Sequence, residues 1–132
     1  MQYVDSSALL KMHVDEPDSE AAHFILDSDP TWASGRHTLV EVRRNLVRIL
    51  SPPQLADVRE AFLVQWDQMQ IVELDEDLCE RSAELAETTG VGALDAIHLG
   101  AADVLGREFP FVTFDRRLAN AARSLGWTVL GA

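Results

Sequence analysis

Four acids stand where carboxylate chemistry would need them. Asp5 ends the short apolar run Tyr3-Val4, and Asp115 ends the run Phe111-Val112-Thr113-Phe114. Glu41 and Asp95 lie at the starts of helical patterns that follow turns. In an open parallel α/β sheet, ligands sit outside the carboxyl ends of the strands. Helices that start at one edge of such a sheet would bring all four carboxylates to one crevice. Ionised carboxylates a few ångströms apart repel one another strongly, and a cation relieves that repulsion. Oxygen-only ligands suit hard ions such as Mg²⁺ or Mn²⁺, commonly held by a few carboxylates together with waters and substrate phosphate. Ions of this kind activate water and stabilise a leaving oxygen in phosphodiester hydrolysis.

Each acid also has a purely structural reading. Asp5 and Asp115 precede helices and fit N-caps. Thr38-x-x-Glu41 fits a capping box, with Glu41 reaching back to the Thr38 amide. Asp95 fits a cap or the first turn of the apolar helix that follows it. Both readings stand at this stage, and the recurrence of the arrangement favours the cluster.

Other chemistries fit less well. The single lysine, Lys11, follows no glycine-rich loop, which excludes a P-loop. An aspartyl-phosphate mechanism would use a lysine late in the chain, and none is there. Ser6 and Ser7 lack a nucleophile elbow. His13, His23, His37 and His98 show no zinc spacing, and the lone Cys79 supplies no thiolate cluster. Cys79 reads as a packed thiol on a helix and forms no disulfide within the chain.

The elements that must position the acids follow from periodicity. Met1–Asp5 reads as a buried strand and Ser6–Val14 as a helix. Pro17 suits the first turn of a second helix, whose inward face would be Ala21, Phe24, Ile25 and Ser28. Thr31–Ser34 is a weak strand ahead of the Gly35 turn. Thr38–Leu50 and the segment after Ser51-Pro52-Pro53 are amphipathic helices. Gln70–Leu74 is a strand, Asp75–Thr89 a helix closed by Gly90, and Asp95–Leu105 an apolar, largely buried helix. Phe111–Phe114 is a strand, Arg116–Leu125 a helix ended by Gly126, and Trp127–Leu130 the last strand. Strands alternating with helices predict an α/β fold of three layers, α/β/α, with a mainly parallel central sheet. The 132 residues, 47% apolar and 25% charged, suit a single domain spanning 1–132.

The formal charge of −11 argues at first against a nucleic-acid partner. Its distribution qualifies that. Residues 57–87 carry ten acids against Arg59 and Arg81, a net of −8, and contain none of the four motifs. This reads as a solvated helical face. Near Glu41 the balance reverses, with Arg36, Arg43, Arg44 and Arg48 close by. No leader with a basic start and apolar core is visible, and no apolar run reaches the roughly 18 residues of a membrane span. A cytoplasmic location without membrane contact is therefore expected.

The segments Val4-Asp5-Ser6-Ser7-Ala8-Leu9, Leu39-Val40-Glu41-Val42-Arg43, Leu94-Asp95-Ala96-Ile97-His98-Leu99 and Val112-Thr113-Phe114-Asp115-Arg116-Arg117-Leu118 together resemble PIN-domain ribonucleases. More closely, they resemble the VapC-type toxins of bacterial type II toxin–antitoxin pairs. The resemblance runs the length of the chain. It implies a PIN-like fold, with Asp5, Glu41, Asp95 and Asp115 as the catalytic Mg²⁺ or Mn²⁺ site and Ser7 and Thr113 as polar support. It also implies metal-dependent hydrolysis of structured RNA that leaves a 5′-phosphate and a 3′-hydroxyl. Its implied partners are the RNA substrate, a small VapB-type antitoxin that masks the activity, a second copy of the chain in a homodimer, and operator DNA reached only through the antitoxin complex. Arg36, Arg43, Arg44, Arg116 and Arg117 are the candidate RNA contacts. Spare apolar surface for the antitoxin is expected on the helices from Ser6 and from Pro53. The rival reading is a catalytically silent PIN-like protein-interaction module. A DNA flap nuclease of related fold is disfavoured, because no substrate-clamping domain accompanies the motifs.

Overall fold

The structure, a computed structural model, describes residues 1–132. The chain runs β1 (Gln2–Val4), α1 (Ser6–His13), α2 (Ser19–Asp27), β2 (Trp32–Gly35), α3 (His37–Ile49), α4 (Pro52–Asp67) and β3 (Gln70–Val72). It continues through α5 (Glu76–Thr89), α6 (Ala93–Leu105), β4 (Phe111–Thr113), α7 (Arg116–Ser124) and β5 (Val129–Gly131). The five strands form one sheet in the order β3-β2-β1-β4-β5, and every pairing is parallel. After β1 the chain builds outward to β3 on one side, then returns to add β4 and β5 on the other. The switch point lies between β1 and β4, where the ends of neighbouring strands leave a crevice.

Successive strand side chains point to opposite faces, and the core divides accordingly. Tyr3 and Phe111 pack with Leu78, Leu85, Leu99, Leu118 and Trp127, from α5, α6, α7 and the approach to β5. Val4 and Val112 pack with Leu9, Leu26, Val42, Leu46, Phe62 and Trp66, from α1 to α4. Both faces of the sheet are thus covered by helices, as strands buried on both sides require.

Local chemistry sets several boundaries. Asp75 caps α5 by accepting the Leu78 amide at 2.9 Å, and Gly90 closes the helix with φ 74°. Ser51 and Gln54 form a capping box at the start of α4. Four expectations need correction. Pro17 lies in a turn, and α2 starts at Ser19 after Asp18 adopts φ 71°. The Ser19 hydroxyl ties that turn, accepting the Glu16 amide at 2.9 Å and donating to the Val14 carbonyl at 3.1 Å. The inward face of α2 is Ser19, Ala22 and Leu26, which leaves Phe24 80% exposed; an apolar run on several sides did not define one stripe. Cys79 is exposed on α5. The last strand starts at Val129, because Trp127 is buried just before it with the Arg107 guanidinium 3.6 Å over its ring. All ten acids between Asp57 and Glu87 are exposed, as a solvated face requires. No helix is long and apolar enough to cross a membrane.

Candidate metal centre at the sheet edge

Asp5 follows β1, and its backbone turns the chain into α1. Its carboxylate caps that helix by accepting the Ala8 amide at 3.0 Å. It also accepts the Ser7 hydroxyl at 2.7 Å and the Thr113 hydroxyl at 2.6 Å. Each hydroxyl in turn accepts a backbone amide: Ser7 from Phe114 at 3.0 Å, Thr113 from Asp115 at 3.0 Å. Each hydroxyl thus gives its hydrogen to Asp5 and is itself held by a backbone amide, which fixes the Asp5 side chain across the β1/β4 crevice. Asp5 is 2% exposed, and burial pushes its carboxyl above the usual range. Nearby His98 and the hydrogen bonds from Thr113, Ser7 and Ala8 pull back part of that rise.

Asp115 follows β4 in the same way and caps α7 through the Leu118 amide at 3.0 Å. Unlike Asp5 it is exposed. Asp95 is in the first turn of α6, whose cap is Gly92, and its carboxylate makes no hydrogen bond within the chain. Burial raises the Asp95 pKa, and the charges of Asp115, Asp5 and Glu41 raise it further, with His98 opposing. Asp5, Asp115 and Glu41 therefore lie near enough to Asp95 for their charges to act on it.

Glu41 does not make the expected capping box. Thr38 is already inside α3, where its hydroxyl accepts from Ser34 at 2.8 Å. Glu41 instead accepts His98 Nε2 at 2.7 Å, with His37 Nε2 3.6 Å from the same oxygen. Burial opposes ionisation of Glu41, but the His98 hydrogen bond and the two imidazoles outweigh it and hold the carboxyl below its usual range.

This corner is held from behind by Tyr3. Its hydroxyl accepts the Gly35 amide at 3.3 Å and lies 2.8 Å from His98 Nδ1. The consistent assignment has Tyr3 donating to Nδ1 and His98 donating from Nε2 to Glu41. The His37 ring lies 4.1 Å from that of His98, centroid to centroid, and directly against Gly35. A Cβ at Gly35 would come within 2.7 Å of His37 Nδ1 and Cε1, so the position needs glycine. Burial, aided by His98, lowers the His37 pKa to about 4, and the ring is neutral near pH 7.

The histidine corner was missed from sequence, although signals for it were present. His37 and Glu41 are four apart on one helix, and His98 is three after Asp95, so both pairs share a face. Zinc spacing is marked by paired histidines and cysteines, a signature that a His/Glu pair does not carry. Among the arginines, Arg36 pairs with Glu73 and Arg117 donates to the Gly90 carbonyl at 2.7 Å. Arg43, Arg44 and Arg116 are exposed and free of such partners.

A parallel sheet with acids beside its switch point defines an α/β protein with an acidic crevice at the sheet edge. The PIN domain model matches residues 2–124, and the chain belongs to that family. It is 32% identical over 131 residues to ribonuclease VapC47 of Mycobacterium tuberculosis (strain CDC 1551 / Oshkosh), covering 96% of this chain and 93% of that protein. Its fold is similar to that of M. tuberculosis VapC20, a toxin that cleaves the sarcin–ricin loop. The TM-score is 0.74 at 16% identity, over 92% of this chain and 95% of that one. It is also similar to a chain of Rickettsia felis VapBC2 bound to promoter DNA, with a TM-score of 0.69 at 15% identity over 99% and 98% of the two chains.

Proposed function

We propose that this chain is a metal-dependent endoribonuclease toxin, acting as one domain over residues 1–132, with Asp5, Glu41, Asp95 and Asp115 as its catalytic carboxylates. The observation that carries this reading is Asp95, a half-buried carboxylate without a hydrogen-bond donor, placed beside Asp115, Asp5 and Glu41. Its proton affinity is raised by burial first and by those three acids in addition. A chain with no use for a cation gains nothing from that repulsion. The donor set is oxygen-rich and suits Mg²⁺ or Mn²⁺. Such an ion supplies positive charge that polarises a phosphodiester and lowers the pKa of water.

The chain's own residues do the rest. Asp5 is buried and oriented by Ser7, Thr113 and the α1 amide, so it presents a fixed oxygen to the crevice. Asp115 is exposed and Asp95 half-buried, so both are more accessible than Asp5. Arg43, Arg44 and Arg116 are free to meet phosphates, whereas Arg36 and Arg117 would first have to leave Glu73 and Gly90. The name of VapC47 and the substrate of VapC20 favour RNA as the target.

The VapBC2 complex favours a VapB-type antitoxin as partner, with operator DNA engaged only through that complex. Apolar surface suited to such a segment is present on α4, one of the two helices expected to carry it, and on α3, but not on α1. On α1, Ala8, Leu9 and Leu10 are consumed by the core, whereas Val40, Val47 and Ile49 on α3 and Val64 on α4 are exposed. An amphipathic partner helix fits a surface of that kind. Purified chain is expected to cut structured RNA with Mg²⁺ or Mn²⁺ and to stop in chelator. Its expression alone is expected to arrest growth, with rescue by the neighbouring antitoxin. Soluble wild-type protein that leaves RNA intact with either ion would overturn the enzyme reading in favour of a silent interaction module.

A further inference from the structure

The imidazole corner holds a second donor set that differs chemically from the four acids. His37, Glu41 and His98 each offer one ligand atom, and these atoms all lie within 4.8 Å of one another. Two of the separations are 2.7 Å, His98 Nε2 to Glu41, and 3.6 Å, His37 Nε2 to Glu41. Ligands on a transition-metal ion at about 2.0–2.1 Å from nitrogen sit a little over 3 Å apart, so only small side-chain adjustments separate this corner from a coordination shell.

His37 supplies an independent reason to look for a ligand. Its side chain is 7% exposed, and neither ring nitrogen makes a hydrogen bond of normal geometry. The Leu94 carbonyl is near enough only to favour a proton on the ring. A buried imidazole without a partner forfeits hydration without compensation. Nδ1 lies against Gly35, which leaves Nε2 as the atom aimed at Glu41 and His98. Gly35 thus allows the strand to come close enough for the ring to point inward.

We infer that His37, Glu41 and His98 form a binding site for a transition-metal ion of the Zn²⁺, Co²⁺ or Ni²⁺ type, sharing Glu41 with the acidic crevice. Two imidazoles and one carboxylate suit borderline ions better than Mg²⁺. Tyr3 stands where an outer partner of a metal-bound histidine is needed. Ligation through His98 Nε2 moves its proton to Nδ1, where the Tyr3 oxygen accepts it, and the Tyr3 hydrogen turns toward the neighbouring Ser34 hydroxyl. The number of protons is unchanged. Glu41 cannot serve both sites fully, so Zn²⁺ here inhibits the Mg²⁺-dependent reaction; that regulatory consequence rests on the nuclease reading, while the binding does not.

The test is a titration of the full chain with Co²⁺, followed by visible absorption, and with Zn²⁺, followed by thermal shift. Both are run in saturating Mg²⁺ and without RNA. Wild type is expected to bind one Co²⁺ with the spectrum of nitrogen ligation. His37→Leu, and His37→Gln as a second variant, are expected to bind at least tenfold more weakly while keeping their Mn²⁺ thermal shift. Asp115→Asn is expected to bind Co²⁺ as wild type does. Equal Co²⁺ binding by wild type and folded His37→Leu would overturn the site, as would loss of binding in Asp115→Asn to the extent seen in His37→Leu. Failure to cut RNA would instead sink the nuclease reading and leave these binding results unaffected.

Discussion

At the β1/β4 end of the crevice Asp5 receives three hydrogen bonds, and both hydroxyls that serve it are themselves satisfied by backbone amides. At the α3/α6 end Glu41 is held by one imidazole and faced by another whose nitrogens make no hydrogen bond of normal geometry. The first end is stable as it stands. The second keeps polar groups buried without full compensation, which natural folds tolerate chiefly where a site has a use for them. The difference separates residues that build the crevice from residues held ready within it.

The comparison predicts opposite responses to removal of polar groups. Asp5→Ala deletes a helix cap and strands three donors, so it should cost roughly 2–4 kcal/mol in denaturant unfolding. His37→Leu removes two unsatisfied nitrogens and should lie within about 1 kcal/mol of wild type without metal. Equal losses in the two would erase the distinction. Thr113→Val tests one strut of the first end. It keeps the shape but leaves Asp5 one donor short and the Asp115 amide unpaired, a loss of about 1–3 kcal/mol.

The same contrast explains what could be read from sequence. Asp5 and Asp115 were legible because capping is local: an apolar strand, an acid, then a helix specifies the position within a few residues. The layered parallel sheet followed from alternating strand and helix signals for the same reason. The histidine corner joins Tyr3, Gly35, His37, Glu41 and His98 from two strands and two helices; the local pairs His37/Glu41 and Asp95/His98 mark shared helix faces but not that the two faces meet. Glu41 was placed in the site, but its local neighbour Thr38 suggested a capping box that the tertiary partner His98 overrides. The inward face of α2 was misread because Ala21, Ala22, Phe24, Ile25 and Leu26 put apolar groups on nearly every side.

Smaller effects fall on the surface. If Arg43, Arg44 and Arg116 meet phosphates, replacing each by Ala should weaken RNA binding and reduce the salt slope by about one unit. Metal binding should not change. An unaltered slope in all three would assign them to solvent alone. Outside the crevice, burial lowers the His13 pKa below its usual 6.5, aided by His23 and opposed by its 2.7 Å contact with Gln65. The unfolded chain therefore takes up the proton first, and stability falls as pH drops below about 6.5. His13→Gln should flatten that part of the stability–pH curve, and an unchanged slope would contradict the assignment.

The central claim, that Asp5 is a metal ligand as well as a helix cap, is tested most directly by the Mn²⁺-induced change in melting temperature of wild type and Asp5→Asn. Asn caps a helix about as well as Asp. Its oxygen can keep the Ser7 and Ala8 bonds while its amide meets a rotated Thr113 hydroxyl, so in chelator the variant should fold with near wild-type stability. Mn²⁺ at a hundred times its dissociation constant should stabilise wild type by about 2.7 kcal/mol. Asp5→Asn should lose most of that gain. Equal shifts in the two proteins would show that Asp5 only caps its helix.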